Sequence, residues 1–195
     1  MTSQRHTTTT RHSPDAMLDA ALESILAVGV RRTTLTDVAR RAGISRMTLY
    51  RRYPDVSALF SDLLVREFGQ VIAAAATAST AGERIVAESV AAVRGIHANP
   101  LFTKVIDVEP ELLLPYVLDR IGVNQQMALS RFAELIDAGH ADGSIRAGET
   151  KDQALALLLV VQSFVLAGRA VRGHSDPDRL LAELGTILSD YLRPR

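Results

Sequence analysis

The stretch TTLTDVARRAGISRMTLYRRYP, residues 33–54, sets Thr, Ser, Arg and Tyr around a single glycine, Gly43. It is too polar for a buried core and too regular for a linker. Thr34-Leu35-Thr36-Asp37 reads as a helix start, with the Thr34 hydroxyl taking a backbone N–H and Asp37 three residues on, at the positive end of the helix. The helix so begun runs to about Ala42, Gly43 supplies a turn, and Ser45 caps a second short helix reaching about Arg52. Leu35, Val38, Ala39, Ala42, Ile44 and Leu49 form the small apolar core of this pair, and Ala39 is small where two helix backbones must cross closely. With these inside, Ser45, Arg46, Thr48, Tyr50 and Arg51 are left outward on the second helix.

Two short helices around a tight glycine turn have helix-turn-helix geometry. A short helix rich in hydroxyls and guanidinium groups suits the DNA major groove. Arg can grip guanine O6 and N7 as a fork, Thr and Tyr can hold phosphates, and the exposed side chain of Met47 can meet a thymine methyl. Thr36, in the first turn of the earlier helix, can place its hydroxyl and an N–H on a phosphate. The bland alternative is a helical hairpin with a charged, solvated face.

Outward from this stretch, helical signals follow one another and no strand alternation persists. Ser13-Pro14-Asp15 opens a helix whose apolar residues Met17, Leu18, Ala21, Leu22, Ile25 and Leu26 recur at three and four, and Gly29 ends it. Pro54-Asp55 opens a fourth helix. Further helices are expected over about 83–97, 101–107, 110–138 with an irregularity near Pro115, 150–172 and 177–192. The expected architecture is all-α with about nine helices. Residues 1–13 are expected to form a flexible polar tail, 14–54 a three-helix domain with the candidate DNA-binding motif at 34–53, and 55–195 a larger helical domain.

Composition narrows the function. The 195 residues are 47% hydrophobic, enough for a sizeable core, and contain no Cys, which removes disulfides, thiolate metal sites and Cys nucleophiles. The N-terminal residues hold no apolar run, so no signal peptide is expected, and a cytoplasmic location follows as the default. The longest apolar run, from Ala154 to Val161 and on through Phe164 to Ala167, is shorter than the about 20 residues of a membrane span, so no membrane partner is expected. The formal net charge is zero but unevenly spread: residues 1–54 hold nine Arg against four acidic residues, a net +5, and residues 55–195 carry the balancing −5. A polyanion partner is therefore suggested for the first segment alone.

With these residues in view, TTLTDVARRAGISRMTLYRRYPDVSALF resembles the DNA-binding domain of TetR-family (tetracycline-repressor-like) transcriptional regulators. Thr34, Val38-Ala39, Ala42-Gly43-Ile44-Ser45, Thr48-Leu49-Tyr50, Tyr53 and Leu59-Phe60 match the family pattern in register, over about residues 12–65. The resemblance implies phosphate contacts from Thr36, Thr48 and Tyr50, and base or backbone contacts from Ser45, Arg46, Met47 and Arg51, with Tyr53 partly packing the reading helix. Two positions depart from the pattern: Met47 stands where a small residue is usual, and Val56 where a Lys commonly grips phosphate. Arg51 and Arg52 could replace that charge, and Arg5 and Arg11 of the tail could reach a neighbouring minor groove.

The helix carrying Ala154 to Ala167 is apolar nearly all round and must be covered on every side. A second subunit is the natural cover, and the resemblance likewise implies a homodimer that binds a palindromic operator in double-stranded DNA. Residues of about 83–140 are expected to enclose a pocket for a moderately hydrophobic small-molecule effector, with no other cofactor and no metal. Its candidate lining is His97, Phe102, Tyr116, Asn124, Met127 and Gln162, with Gln125 a further polar candidate, although Phe and Met at helical spacing serve equally as core. Repression relieved by the effector is the mode the resemblance implies. An all-α enzyme is the main rival, but His97, His140 and His174 lie far apart and no HExxH, GxSxG or glycine-rich phosphate loop is present, so no catalytic residue is assigned. A dimeric scaffold that has lost DNA binding is the other.

Overall fold

The computed structural model describes residues 13–73, 79–168, 170–171 and 173–194. The tail arginines Arg5 and Arg11 lie outside the described residues. The described chain is all-α: α1 (Pro14–Val28), α2 (Leu35–Ala42), α3 (Arg46–Arg52), α4 (Val56–Ala73), α5 (Ala81–Ala98), α6 (Pro100–Val108), a 3₁₀ turn (Pro110–Leu112), α7 (Leu114–Leu118), α8 (Val123–Asp142), α9 (Thr150–Ala167) and α10 (Pro177–Leu192).

The chain divides into two compact units. The first comprises residues up to Glu67 together with Pro100–Leu112, and the second comprises Phe68–Asn99 and Leu113–Arg195. The first unit thus takes in the start of α4 and, from far along the chain, all of α6.

In the first unit, each short helix begins and ends where local chemistry dictates. The Ser13 hydroxyl accepts the Ala16 N–H, Pro14 stands at the first helical position, and Gly29 ends α1 at φ 87°. α2 closes on Gly43, whose left-handed φ of 67° lets the Gly43 N–H reach the Arg40 carbonyl at 3.2 Å and the Ile44 N–H reach that of Ala39 at 3.0 Å. Asp55 caps α4 by accepting the Ala58 N–H at 2.8 Å. Ala21, Ile25, Val38, Ala39, Leu49 and Leu63 are essentially inaccessible and form the core, joined by Leu101 and Val105 of α6. At the surface of this core the Arg66 guanidinium bonds Asp19 at 2.7 Å and the buried Glu67 at 2.9 Å, tying α4 to α1.

The second unit is a bundle in which α5 packs on α10 and α8, and α8 on α9. Ile85, Val93, Phe132, Ile136, Leu157, Leu184 and Leu188 form its core. α5 carries a complete capping box, with the Thr80 hydroxyl taking the Glu83 N–H and the Glu83 carboxylate taking the Thr80 N–H. The helical stretch expected over 110–138, irregular near Pro115, is interrupted in that neighbourhood. It divides into the 3₁₀ turn, α7 and α8, because residues 119–122 leave the helix and the Gln125 side chain caps α8 by accepting the Gly122 N–H at 2.7 Å. The helix expected to reach residue 172 ends at Ala167.

Candidate nucleic-acid interface

The DNA-facing candidates depend on α2 and α3, which are too short to be stable alone and are fixed by caps and a common core. The Thr34 hydroxyl accepts the Asp37 N–H at 3.1 Å. The Asp37 carboxylate does not reach back to the backbone of Thr34. It takes the Thr34 hydroxyl proton at 2.6 Å on one oxygen and the Arg40 guanidinium at 2.8 Å on the other. One methylene shorter than Glu, Asp37 converts the capping box into a side-chain chain that also neutralises Arg40. At α3, the Ser45 hydroxyl oxygen accepts the Thr48 N–H at 3.1 Å and lies 2.8 Å from the Thr48 hydroxyl, so two candidate contact groups are held together at the start of the helix.

Leu49 is the inward anchor of α3, fully buried. Its neighbours point the other way: Ser45, Arg46, Met47, Tyr50 and Arg51 are exposed, with Met47 at 78% of its full accessibility. An exposed Met and Tyr on consecutive turns of one seven-residue helix are unusual for a solvated face and suit contact with base edges and sugar-phosphate. Thr48 and Thr36 are half-buried at the margins of this face. Val56, where a phosphate-gripping Lys was the family expectation, is half-buried and begins α4.

The cations sort into two groups. Arg40 pairs with Asp37, Arg41 bonds Glu23 and the Ser24 hydroxyl, and Arg52 donates to the Tyr53 hydroxyl at 3.2 Å while lying over its ring. Arg46 and Arg51, in contrast, are exposed and make no hydrogen bond or ion pair among the described residues. The structure leaves these two on the reading helix without an internal partner.

Tyr53 is placed differently from the rest of the candidate set. It is 2% accessible, so it packs beneath α3 rather than facing solvent. Burial raises its hydroxyl pKa against the opposing pull of the Arg52 bond, and that same bond holds the Arg52 guanidinium above its usual range. Tyr53 therefore fixes the end of α3 from beneath.

The effector candidates are less concentrated. Gln125, half-buried, is the hub of one group: its amide N–H groups donate to the Tyr116 carbonyl at 2.8 Å and to the Gln162 side-chain oxygen at 2.5 Å. The Arg120 guanidinium covers the Tyr116 ring at 5.2 Å. The Asn124 side-chain oxygen is buried without a hydrogen-bond partner among the described residues, and so is the hydroxyl of Ser89 on α5, a residue whose sequence context carries no signal. Met127 is exposed, and so is His97, whose ring nitrogen lies 3.1 Å from the Val165 carbonyl. Phe102 belongs to the first unit, apart from the other candidates, which all lie in the second. His140 is engaged with the Arg146 carbonyl and Gln153.

Two capped helices crossing at a left-handed glycine, with a second helix that buries one Leu and exposes unpaired Arg, Met and Tyr, define a helix-turn-helix DNA-binding protein. Known proteins agree. The family model for bacterial regulatory proteins of the tetR family matches residues 17–63. An uncharacterised HTH-type transcriptional regulator of Mycobacterium tuberculosis is 31% identical over 176 residues, covering 90% of this chain and 92% of the relative. The solved TetR/AcrR-family regulator from Thermobifida fusca superposes with a TM-score of 0.61 at 18% identity, over 91% of this chain and 96% of that one. The transcriptional regulator FadR of Bacillus subtilis, solved with stearoyl-CoA, superposes with a TM-score of 0.67 at 15% identity, over 93% and 100% of the two chains. The chain belongs to the TetR family of bacterial transcriptional regulators.

Proposed function

We propose that the protein is a cytoplasmic repressor that binds a palindromic operator as a homodimer and is released by a small-molecule effector. The observation that carries the DNA-reading part is α3: Arg46 and Arg51 stand outward and unpaired beside exposed Met47 and Tyr50. Arg46 and Arg51 supply the charge and the guanine fork, Met47 the apolar contact with thymine, and Ser45, Thr36, Thr48 and Tyr50 the phosphate contacts that set register. Tyr53 supports α3 from beneath. In a homodimer two such helices read half-sites about one helical turn, roughly 34–36 Å, apart or slightly more.

The dimer reading rests on α9 and α10, assigned with the rest of residues 55–195 to effector binding and dimerisation. α9 is apolar enough by length and composition to span a membrane. Leu159 on α9 is 64% accessible and Ile187 on α10 is 45% accessible, which leaves large apolar side chains for a second copy to cover.

The effector reading rests on the polar groups of the second unit. His97, Tyr116, Asn124, Met127 and Gln162 are the proposed pocket residues of that unit. Buried oxygens without internal partners, on Asn124 and Ser89, are suited to orienting a ligand in apolar surroundings. The effector must bind better to the form whose reading heads are mis-spaced for DNA, and it weakens DNA binding by the same coupling free energy. The stearoyl-CoA held by the Bacillus subtilis neighbour makes a fatty-acyl thioester a rational first probe.

A DNA selection with the purified chain, followed by thermal-shift screening of apolar ligands, tests the reading. A selected palindrome whose binding is loosened by a stabilising ligand is the expected result. Selection of no sequence excludes it in favour of a scaffold. Replacing Leu159 and Ile187 with Glu together should give a monomer in sedimentation and abolish palindrome binding.

A further inference from the structure

The turn joining α1 to α2 holds an acidic side chain from far along the sequence. Glu109, between α6 and the 3₁₀ turn, is 6% accessible, and its carboxylate accepts the Val30 N–H at 2.7 Å and the Arg31 N–H at 2.9 Å. No cation pairs with it among the described residues. The backbone is shaped to receive it: Gly29 sits at φ 87°, and a Cβ there would lie 3.2 Å from a Glu109 oxygen. The rest of the turn is closed on itself, with the buried Thr33 hydroxyl donating to the Gly29 carbonyl at 2.8 Å and the Thr33 N–H to that of Val30 at 3.1 Å. The next residue, Thr34, is the cap of α2. Arg31 adds an exposed pair with Glu111 at 3.0 Å.

A buried carboxylate is a poor device for stability alone. Its desolvation is costly, and apolar side chains of similar size commonly serve as well or better. What it supplies is a fixed geometry, since two N–H donors on successive residues admit one placement of the two oxygens. The segment bearing it belongs to the first unit, yet both of its ends run directly into the second: α5 ends at Ala98 and residues from Leu113 onward are again in the second unit. Movement of that segment must either drag the turn or break the two bonds.

We infer that Glu109 is a positioning residue for DNA reading: its buried carboxylate pegs the turn before α2, and so sets the orientation of α2 and α3 from residues 100–112. This rests on the proposed dimeric repressor, because orientation matters through the spacing of two reading heads. Glu109 touches no DNA. It acts on the half-site spacing and leaves the base preference alone, and it offers the effector-binding unit a covalent handle on the head.

The test compares the full-length wild type with Glu109→Gln and Gly29→Ala. Gln is isosteric but turns one acceptor into a donor facing an N–H, while Ala at Gly29 leaves the carboxylate unchanged but crowds it and strains the turn backbone at φ 87°. Two readouts are taken: amide exchange at Val30 and Arg31 without DNA, and selection from a library with a fixed half-site and a randomised spacer. Glu109→Gln is expected to exchange about tenfold or more faster at one at least of the two amides, the worth of one lost hydrogen bond. It should also accept a broader set of spacers while keeping the wild-type half-site. If Glu109→Gln fails to fold, Gly29→Ala must show the broadened spacing. Wild-type spacing in a folded Glu109→Gln, whatever its melting temperature, overturns the inference. Should the unmodified chain select no palindrome, the repressor reading fails on the wild type alone, and unchanged exchange at Val30 and Arg31 would still overturn the peg.

Discussion

The α2–α3 pair and the α7–α8 region use their side chains in opposite ways. In α2–α3, Leu35, Val38, Ala39 and Leu49 are buried within a span of 15 residues, the hydroxyls of Thr34 and Ser45 cap helices, and the outer face of α3 carries Arg46 and Arg51 without a partner among the described residues. In α7–α8, Leu114, Val117, Leu118, Ile121 and Val123 are exposed, while the polar Gln125 is turned inward and bonded to Tyr116 and Gln162. The first region has finished its internal chemistry and offers charge to a partner. The second has committed its polar groups internally and leaves apolar surface outside. A partner that is a polyanion fits the first arrangement, and a partner with apolar area fits the second.

The largest effect that sharpens this contrast is expected from Arg46→Ala combined with Arg51→Ala. Losing both free cations should weaken operator binding by at least about 100-fold and reduce the salt slope by about two, measured by anisotropy across a salt series. Arg41→Ala should change it little, because Arg41 is occupied by Glu23 and Ser24; equal losses from both would show that charge count, not free charge on α3, governs binding. Next in size, Gln125→Leu removes three hydrogen bonds and should cost about 1–3 kcal/mol of stability in chemical unfolding while leaving the selected half-site unchanged. A changed half-site would erase the distinction between the two regions.

Met47→Ala should cost about 1 kcal/mol or less, and only on sites where thymine lies under α3. Replacing thymine by uracil in the DNA should reproduce the loss for the wild type and add nothing for the variant. The smallest effect concerns Asp142, at the end of α8. The Ser144 hydroxyl foremost, then the Ala81 and Ser144 backbone N–H groups, hold its carboxyl below the usual range. A depressed carboxylate pKa stabilises above the ordinary Asp range and ceases to do so as pH falls through it. Asp142→Asn should therefore lower the melting temperature slightly near neutral pH and match the wild type in acid.

The contrast also explains what was readable beforehand. The caps Ser13, Thr34 and Ser45, the terminating Gly29 and Gly43 and the inward Leu49 act within four residues of where they stand, so local reading located α1, α2 and α3 closely. The outward set followed by subtraction, apart from Tyr53, whose burial depends on tertiary packing. Pro115 announces an irregularity, but the break between α7 and α8 falls at residues 119–122, where the apolar periodicity continues. Its cause, the Gln125 side chain reaching Gly122 and Tyr116, is a capping interaction with no Ser, Thr or Asp to announce it. The Gln125–Gln162 pair spans 37 residues and Glu109 reaches back 79 to Val30, so neither leaves a local pattern. The sorting of arginines into paired and free was beyond reach for the same reason, since Arg41 meets Glu23 and Ser24 across two helices.

The most direct test of the central claim, that α3 reads DNA with Arg46, Met47 and Arg51, is a selection from random duplex DNA with the purified full-length protein, repeated with Arg46→Ala. The wild type should recover an inverted repeat, and Arg46→Ala should recover the same repeat with relaxed preference at one symmetry-related base pair in each half-site. Recovery of the wild-type preference at every position by Arg46→Ala, or of no preferred sequence by the wild type, would contradict it.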